Sequence, residues 1–194
     1  MTLPLDLIWA VTGLLLTIGG TLLPAAIASP VWFWGGGSMR LYALGVSYQI
    51  GAVFLVACVG GKNAAALSQI AYLALGLIGF EVFTNGGGWA YIQQPTFGYL
   101  LGFVPAAWMC GWLAFRAKPQ IELLLLSCLV GLGIIHLAGL SYLSIFYGLG
   151  WADATSLSWT AAILHYSVTQ LPAQGAIACA ASVFAFCLRR VLLY

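Results

Sequence analysis

Charged side chains are nearly missing from this sequence: six Lys and Arg and four Asp and Glu serve 194 residues, of which 63% are hydrophobic. That is too little polar surface to cover a water-soluble globule, so the chain must live in lipid. A net charge of +2 drawn from so few groups gives no sign of a nucleic-acid partner. The acids Asp6, Glu81, Glu122 and Asp153 are scattered and form no carboxylate dyad. GxSxG elbows, HExxH pairs and GxxxxGK[ST] phosphate loops are all lacking. An intramembrane enzyme would therefore have to rest on an unmarked pairing such as Ser141 or Ser167 with a histidine, and any energy for transport must come from a partner or an ion gradient. Cys58, Cys110, Cys128, Cys179 and Cys187 fall in apolar runs, with no CxxC pair and no His/Cys spacing that suits a metal. They read as small buried hydrophobes, and no cofactor is expected.

What is present is a succession of long apolar runs. A spanning helix takes roughly 20 apolar residues. Dividing the sequence at charges, prolines and glycine clusters predicts an all-α integral membrane protein, a compact bundle of six transmembrane helices in a single domain over residues 1–194. The predicted spans are approximately 5–27, 41–59, 64–80, 97–115, 120–142 and 161–188. The first follows Met1–Asp6, which has no basic stretch, and it exceeds the core of a signal peptide, so it reads as a retained helix.

Lys62, Arg116, Lys118, Arg189 and Arg190 fall on one side of that topology, which makes it the cytoplasmic side and puts both termini there, in a cell membrane. Arg40 alone is on the other side. The outer connections are long and rich in glycine and tryptophan, whereas the inner ones are short. Ser144–Ser158 reads as an interfacial segment. Gln49, Thr96, Tyr99, His136, His165, Gln170 and Gln174 all map to the outer half or the mid-plane. Polar groups inside a span are costly unless partnered, so this clustering predicts a polar cavity that opens outward.

The stretch from Val82 to Phe103 is the richest in chemistry. Its glycines let the backbone approach a ligand, Asn85, Gln93 and Gln94 offer donors and acceptors, and Trp89, Tyr91 and Tyr99 offer flat apolar faces. A neutral ring bearing heteroatoms would suit such a site. The same composition also suits an interfacial loop with an aromatic belt.

Within it, Gln94-Pro95-Thr96-Phe97-Gly98-Tyr99-Leu100-Leu101-Gly102-Phe103 resembles the GPTGGYLLGF signature of the BioY family. Gln49, the run from Gly60 to Phe83, His136-Leu137-Ala138-Gly139 with Tyr142-Leu143, and Leu171-Pro172 resemble further stretches of that family in the same order. The resemblance implies a six-helix S component of an energy-coupling-factor (ECF) transporter, which captures biotin from outside and docks on a transmembrane coupling subunit driven by two cytoplasmic ATPases. The substrate-binding residues expected are Asn85, Trp89, Tyr91, Gln93, Thr96, Tyr99, His136 and Gln174.

Two positions depart from the family pattern. After Leu171-Pro172 the family has an aspartate that bonds the ureido ring of biotin and a lysine that helps hold its carboxylate; here they are Gln174 and Ile177. Glutamine can still meet a ureido group, but isoleucine cannot offset a carboxylate, which leaves room for weaker biotin binding, a different vitamin-like ligand, or Arg40 in the lysine's place. Glu81 stands where the family commonly has proline, either as a pocket carboxylate or as a helix-end charge reaching water. In helix one, Gly13, Thr17 and Thr21 recur at four-residue spacing and form a flat stripe, suited either to the coupling subunit or to packing inside the bundle.

Overall fold

The computed structural model describes residues 3–28, 41–152 and 157–192. Helix α1 (Leu3–Leu22) leads into an antiparallel pair of strands, β1 (Pro24–Ala28) and β2 (Leu41–Ser47), and then into α2 (Gln49–Ile78). A 3-10 turn over Trp89–Gln93 precedes α3 (Phe97–Ala114) and α4 (Ile121–Gly148). The chain closes with α5 (Trp159–Ile163), a π-helical turn over Leu164–Val168, and α6 (Leu171–Leu192).

Five helical stretches are long and apolar enough to cross a membrane, the last running unbroken in the chain from Trp159 to Leu192. The second of them contains two limbs. Its backbone leaves the helical region at Gly61 (φ 83°, ψ 173°), a conformation open to glycine and strained for residues with a Cβ. Neighbours along α1 show that the direction reverses there. Trp9 packs on Gly60, Gly13 on Val56 and Gly20 on Gln49, so residues 49–60 run antiparallel to α1. Beyond Gly61 the order inverts: Gly13 meets Ser68, Gln69 Nε2 donates to Thr17 Oγ1 at 3.1 Å, and Thr21 Oγ1 lies 3.1 Å from the Tyr72 hydroxyl. Counting both limbs of α2 separately gives six helical segments in the bundle, against five stretches long and apolar enough to span.

The hydropathy pattern placed the ends of the first two spans differently. It carries the first helix to residue 27 and starts the second at 41, where the structure has β1 and β2. Short apolar runs do not distinguish a strand from a helix end. Pro24 removes the backbone donor that a continuing helix needs, and Gly45 in β2 has a φ of 71°. At the other end of the chain α4 runs on to Gly148, which takes residues 144–148 from the predicted connection into the helix.

The stripe on α1 is also corrected as a partner surface. Gly13, Thr17 and Thr21 are buried against α2, and the outward face of α1 is Leu7, Ile8, Val11 and Leu15. Small side chains let the two backbones approach, so this spacing serves the bundle's own packing. Further glycines act likewise: Gly102 seats Ala138 and Ile135, Gly131 seats Phe54, and Gly139 seats the Tyr99 ring. The apolar core of α2, α3 and α4 lies between them.

Cations gather at one end. Lys62 lies over the Trp108 ring (5.2 Å), Arg116 over Trp112 (3.7 Å) and Arg190 over Phe186 (4.6 Å), arrangements that attract a cation to the ring face. Arg189 is buried, donates from Nη1 to the Ala114 carbonyl at 2.7 Å and covers Phe115. The opposite end carries the strands and the long connections. Arg40, Asp153 and the Gly35-Gly36-Gly37 run lie outside the described residues.

Gly76 has the Phe83 ring where a Cβ would be, while Gly133 is exposed with nothing nearby. Gly76→Ala is expected to cost about 1–3 kcal/mol by overpacking. Gly133→Ala is expected to gain up to about 1 kcal/mol from helix propensity. Unfolding of the two purified variants in detergent, read as shifts of apparent Tm in opposite directions, checks both.

Candidate functional site

At the end away from the cations, the helices part around a cavity of about 420 Å³, within the size range of small-molecule sites. Its walls come from α1, β1, β2, the first limb of α2, the turn at Thr84-Asn85, the 3-10 turn, α3, α4, the π-helical turn and α6. Among the described residues the lining holds hydroxyls, amides, aromatic rings and aliphatic carbons, and no Asp, Glu, Lys, Arg or His.

One wall is built around the Tyr72 hydroxyl. It donates to the Val82 carbonyl (2.8 Å) and accepts from Gln49 Nε2 (2.9 Å). Gln49 is the first residue of α2, so this contact ties the start of one limb to the end of the other. With its amide nitrogen so engaged, Gln49 keeps its carbonyl oxygen as the acceptor for the cavity that it lines.

The opposite wall is a relay of side chains. His136 Nε2 donates to Gln174 Oε1 at 2.8 Å, and Gln174 Nε2 donates to Gln170 Oε1 at 3.0 Å. Gln174 and Gln170 both line the cavity, while His136 stands behind them, edge-on to Tyr99 with ring centroids 5.8 Å apart. The Tyr99 hydroxyl pairs with Ser167 Oγ at 2.6 Å. Ser167 belongs to the π-helical turn, an irregularity common at functional positions because it re-aims side chains. The same turn presents Tyr166 to the cavity.

The loop from Gly79 to Gly88 is fastened to α2. Gly79, Gly86 and Gly88 have φ of 122°, 102° and 90°, and the Gly88 amide donates to the Gly76 carbonyl at 2.7 Å. Phe83 and Gly86 pair through their backbones, which leaves Thr84 and Asn85 at the tip beside the cavity. A row of rings continues inward from Tyr72 to Phe83 (5.3 Å), Tyr91 (4.6 Å), Phe97 (6.4 Å) and Tyr142 (5.8 Å). The Tyr142 hydroxyl closes the row on the Ile92 carbonyl.

Thr96 departs from this pairing. The residue lines the cavity, and its Oγ1 is buried and has no hydrogen-bond partner among the described residues. An unpaired buried hydroxyl carries a desolvation cost that a bound molecule would relieve.

Of the residues predicted to bind substrate, Asn85, Tyr91, Thr96, Tyr99 and Gln174 come together on the lining. His136 reaches it through Gln174. Trp89 and Gln93 are exposed on the 3-10 turn and lie off the lining. Glu81 and His165 are exposed as well. Ile177 is buried against Gly51, turned away from the cavity. The sequence reading gave Thr21 to the α1 stripe and not to the site, did not assign Ser47 or Tyr166, and noted Gln49 and Gln170 as mid-plane groups without giving them a role; all five line the cavity. Gln49 and Gln170 were findable as amides inside apolar runs, whereas Ser47 depended on seeing β2.

The family model described as the BioY family matches residues 6–193. The chain belongs to the BioY family. A probable biotin transporter BioY of Lysinibacillus sphaericus is 36% identical over 138 residues, 71% of this chain and 69% of that protein. The biotin transporter BioY of Thermotoga maritima is 37% identical over 110 residues, 56% of this chain and 64% of that one. An uncharacterised protein of Cyanophora paradoxa is 28% identical over 187 residues, 96% of this chain and 95% of its own length. Among solved structures, the S-component for biotin from an ECF-type ABC transporter superposes with a TM-score of 0.68 over 98% of this chain and 95% of the other, at 20% identity, which shows a shared fold.

In this BioY-family chain the His136–Gln174 bond joins α4 to α6 across the cavity wall. His136→Phe and Gln174→Leu are each expected to lower stability by about 1 kcal/mol, and the double variant by less than the sum. Unfolding of the four proteins in detergent gives the coupling energy, and strict additivity would mean that the pair does not hold the wall.

Proposed function

We propose that this chain is the substrate-binding membrane component of a biotin uptake system. It takes biotin from the outer face of the cell membrane and delivers it through an ECF module made of a transmembrane coupling subunit and two cytoplasmic ATPases. The observation that carries this reading is the uncharged cavity at the end of the bundle remote from the cations, in a chain of the BioY family. Lys62, Arg116, Lys118, Arg189 and Arg190 mark the cytoplasmic end by the positive-inside rule. With six crossings both termini belong there, and the cavity faces outward.

The cavity's chemistry suits a bicyclic urea with an aliphatic tail. A ureido group has one carbonyl and two N–H donors, so it needs donors and acceptors at close quarters. Gln174, the Gln49 carbonyl and the Thr96 hydroxyl supply them, and Tyr91, Tyr99 and Phe103 supply apolar faces. The role of an enzyme is disfavoured by the same bonds. Ser167 is engaged with Tyr99, His136 with Gln174, and Ser141 is exposed and bonded to the Leu137 carbonyl, so among the described residues no serine and histidine are paired.

An uncharged lining leaves the biotin carboxylate with no cation among the described residues. Biotin and biotin amide are therefore expected to bind the purified, detergent-solubilised protein within about threefold of each other, since a charge-assisted bond would separate them by one to two decades. Preference for the acid by tenfold or more would place a cation over the carboxylate. Thr96→Val is expected to weaken biotin binding about five- to tenfold while leaving apparent Tm unchanged or higher, because it removes a hydroxyl that has no partner among the described residues. Equal affinity in that variant would take Thr96 out of the site.

A further inference from the structure

Three cysteines that share no sequence motif meet inside the bundle, well away from the proposed substrate site. Cys58 of α2, Cys110 of α3 and Cys128 of α4 are each fully buried. Cys58 Sγ lies 3.8 Å from Cys110 Sγ and 3.7 Å from Cys128 Sγ, and all three sulfurs fall within 4.8 Å of one another. We propose that this triad is a three-coordinate binding site for a soft monovalent cation, Cu(I), which ties α2, α3 and α4 together.

The argument is geometric first. An ion equidistant from three sulfurs at these separations sits at most about 2.4 Å from each, the range of metal–thiolate bonds. The triad therefore needs no movement of the helices to close on an ion. Ligand type then selects the metal. Zinc almost always takes four ligands, and among the described residues no fourth His, Cys, Asp or Glu joins the group. Soft thiolates without a fourth donor favour Cu(I).

Charge balances as well. When Cu(I) binds, two thiols give up their protons to bulk water and the third sulfur binds as a thiol, so the loaded unit carries one negative charge. Arg189 carries the opposite charge, is itself buried, and has an Nε with no partner among the described residues. Its Nη1 is bonded to the Ala114 carbonyl, one turn along α3 from Cys110, about 6 Å of helix rise. Cys58 lies three residues before the backbone break at Gly61, towards the cationic end of the bundle.

The test uses full-length protein carrying Cys179→Ser and Cys187→Ser, which removes the two exposed thiols. Purified in detergent without oxygen, it is incubated with Cu(I) held by a weak chelator, desalted and assayed for copper. One copper per chain is expected, with X-ray absorption showing three sulfurs at about 2.2–2.3 Å. Apparent Tm should rise by roughly 5 °C or more. Adding Cys128→Ala is expected to lower retained copper at least tenfold. Less than a tenth of a copper per chain, undiminished retention in the alanine variant, nitrogen or oxygen ligands in the absorption spectrum, or a Cys58–Cys110 or Cys58–Cys128 disulfide in the anaerobic protein would each overturn the proposal. If the alanine variant does not fold, the absorption spectrum of its parent decides alone.

Discussion

Inside hydrocarbon every amide and hydroxyl must find a partner within the protein or await one from a ligand, and the architecture follows from how that demand is met. The Tyr72 hydroxyl joins the start of α2 to the connection after its end, through Gln49 and Val82. Gln69 reaches across to Thr17 on α1, and Gln174 sits between His136 and Gln170. The Gln49–Tyr72, Gln69–Thr17 and His136–Gln174 bonds link segments far apart in sequence, so the polar groups that would be a liability in lipid fix which helices are neighbours. Thr96, whose Oγ1 has no partner among the described residues, lies on the wall of the cavity.

The two ends of the bundle solve different problems. At the cationic end, connections are tight and the charges rest on aromatic faces, so little chain stands outside the helices. At the other end, the glycine-rich loop is folded down by the Gly88–Gly76 bond and by Phe83 lying on Gly76, which puts Asn85 beside the cavity. Rigid attachment of an otherwise irregular segment is what lets backbone of this kind line a cavity within a membrane protein.

Most of the fold was legible because hydropathy and charge placement are direct consequences of the solvent. The runs beginning at Phe97 and Ile121 read as helices and are helices. The β1–β2 pair was not legible, since five and seven small or apolar residues carry no period that separates a strand from a helix end. With it went Ser47 and the hairpin's share of the cavity wall. The α1 stripe was legible as a packing surface, but spacing cannot say against what, and its partner proved to be α2. Trp89 and Gln93 share the glycine-rich segment with Asn85 and Tyr91, yet the 3-10 turn directs them outward; composition identifies such a segment and leaves the facing of each side chain to the turn geometry. The meeting of Cys58, Cys110 and Cys128 lay beyond any reading by spacing, because each comes from a different helix.

The strand pair over the cavity has a consequence for local stability. Two strands alone are marginally stable, and among the described residues β1 pairs only with β2. They are held at their base by the Tyr48 amide on the Leu23 carbonyl and contribute Pro24, Ala43, Val46 and Ser47 to the wall. Parting this strand pair would break a handful of ladder bonds and leave the helix–helix contacts intact. The local stability of this wall and the rigidity of the bundle are separately adjustable in such an arrangement.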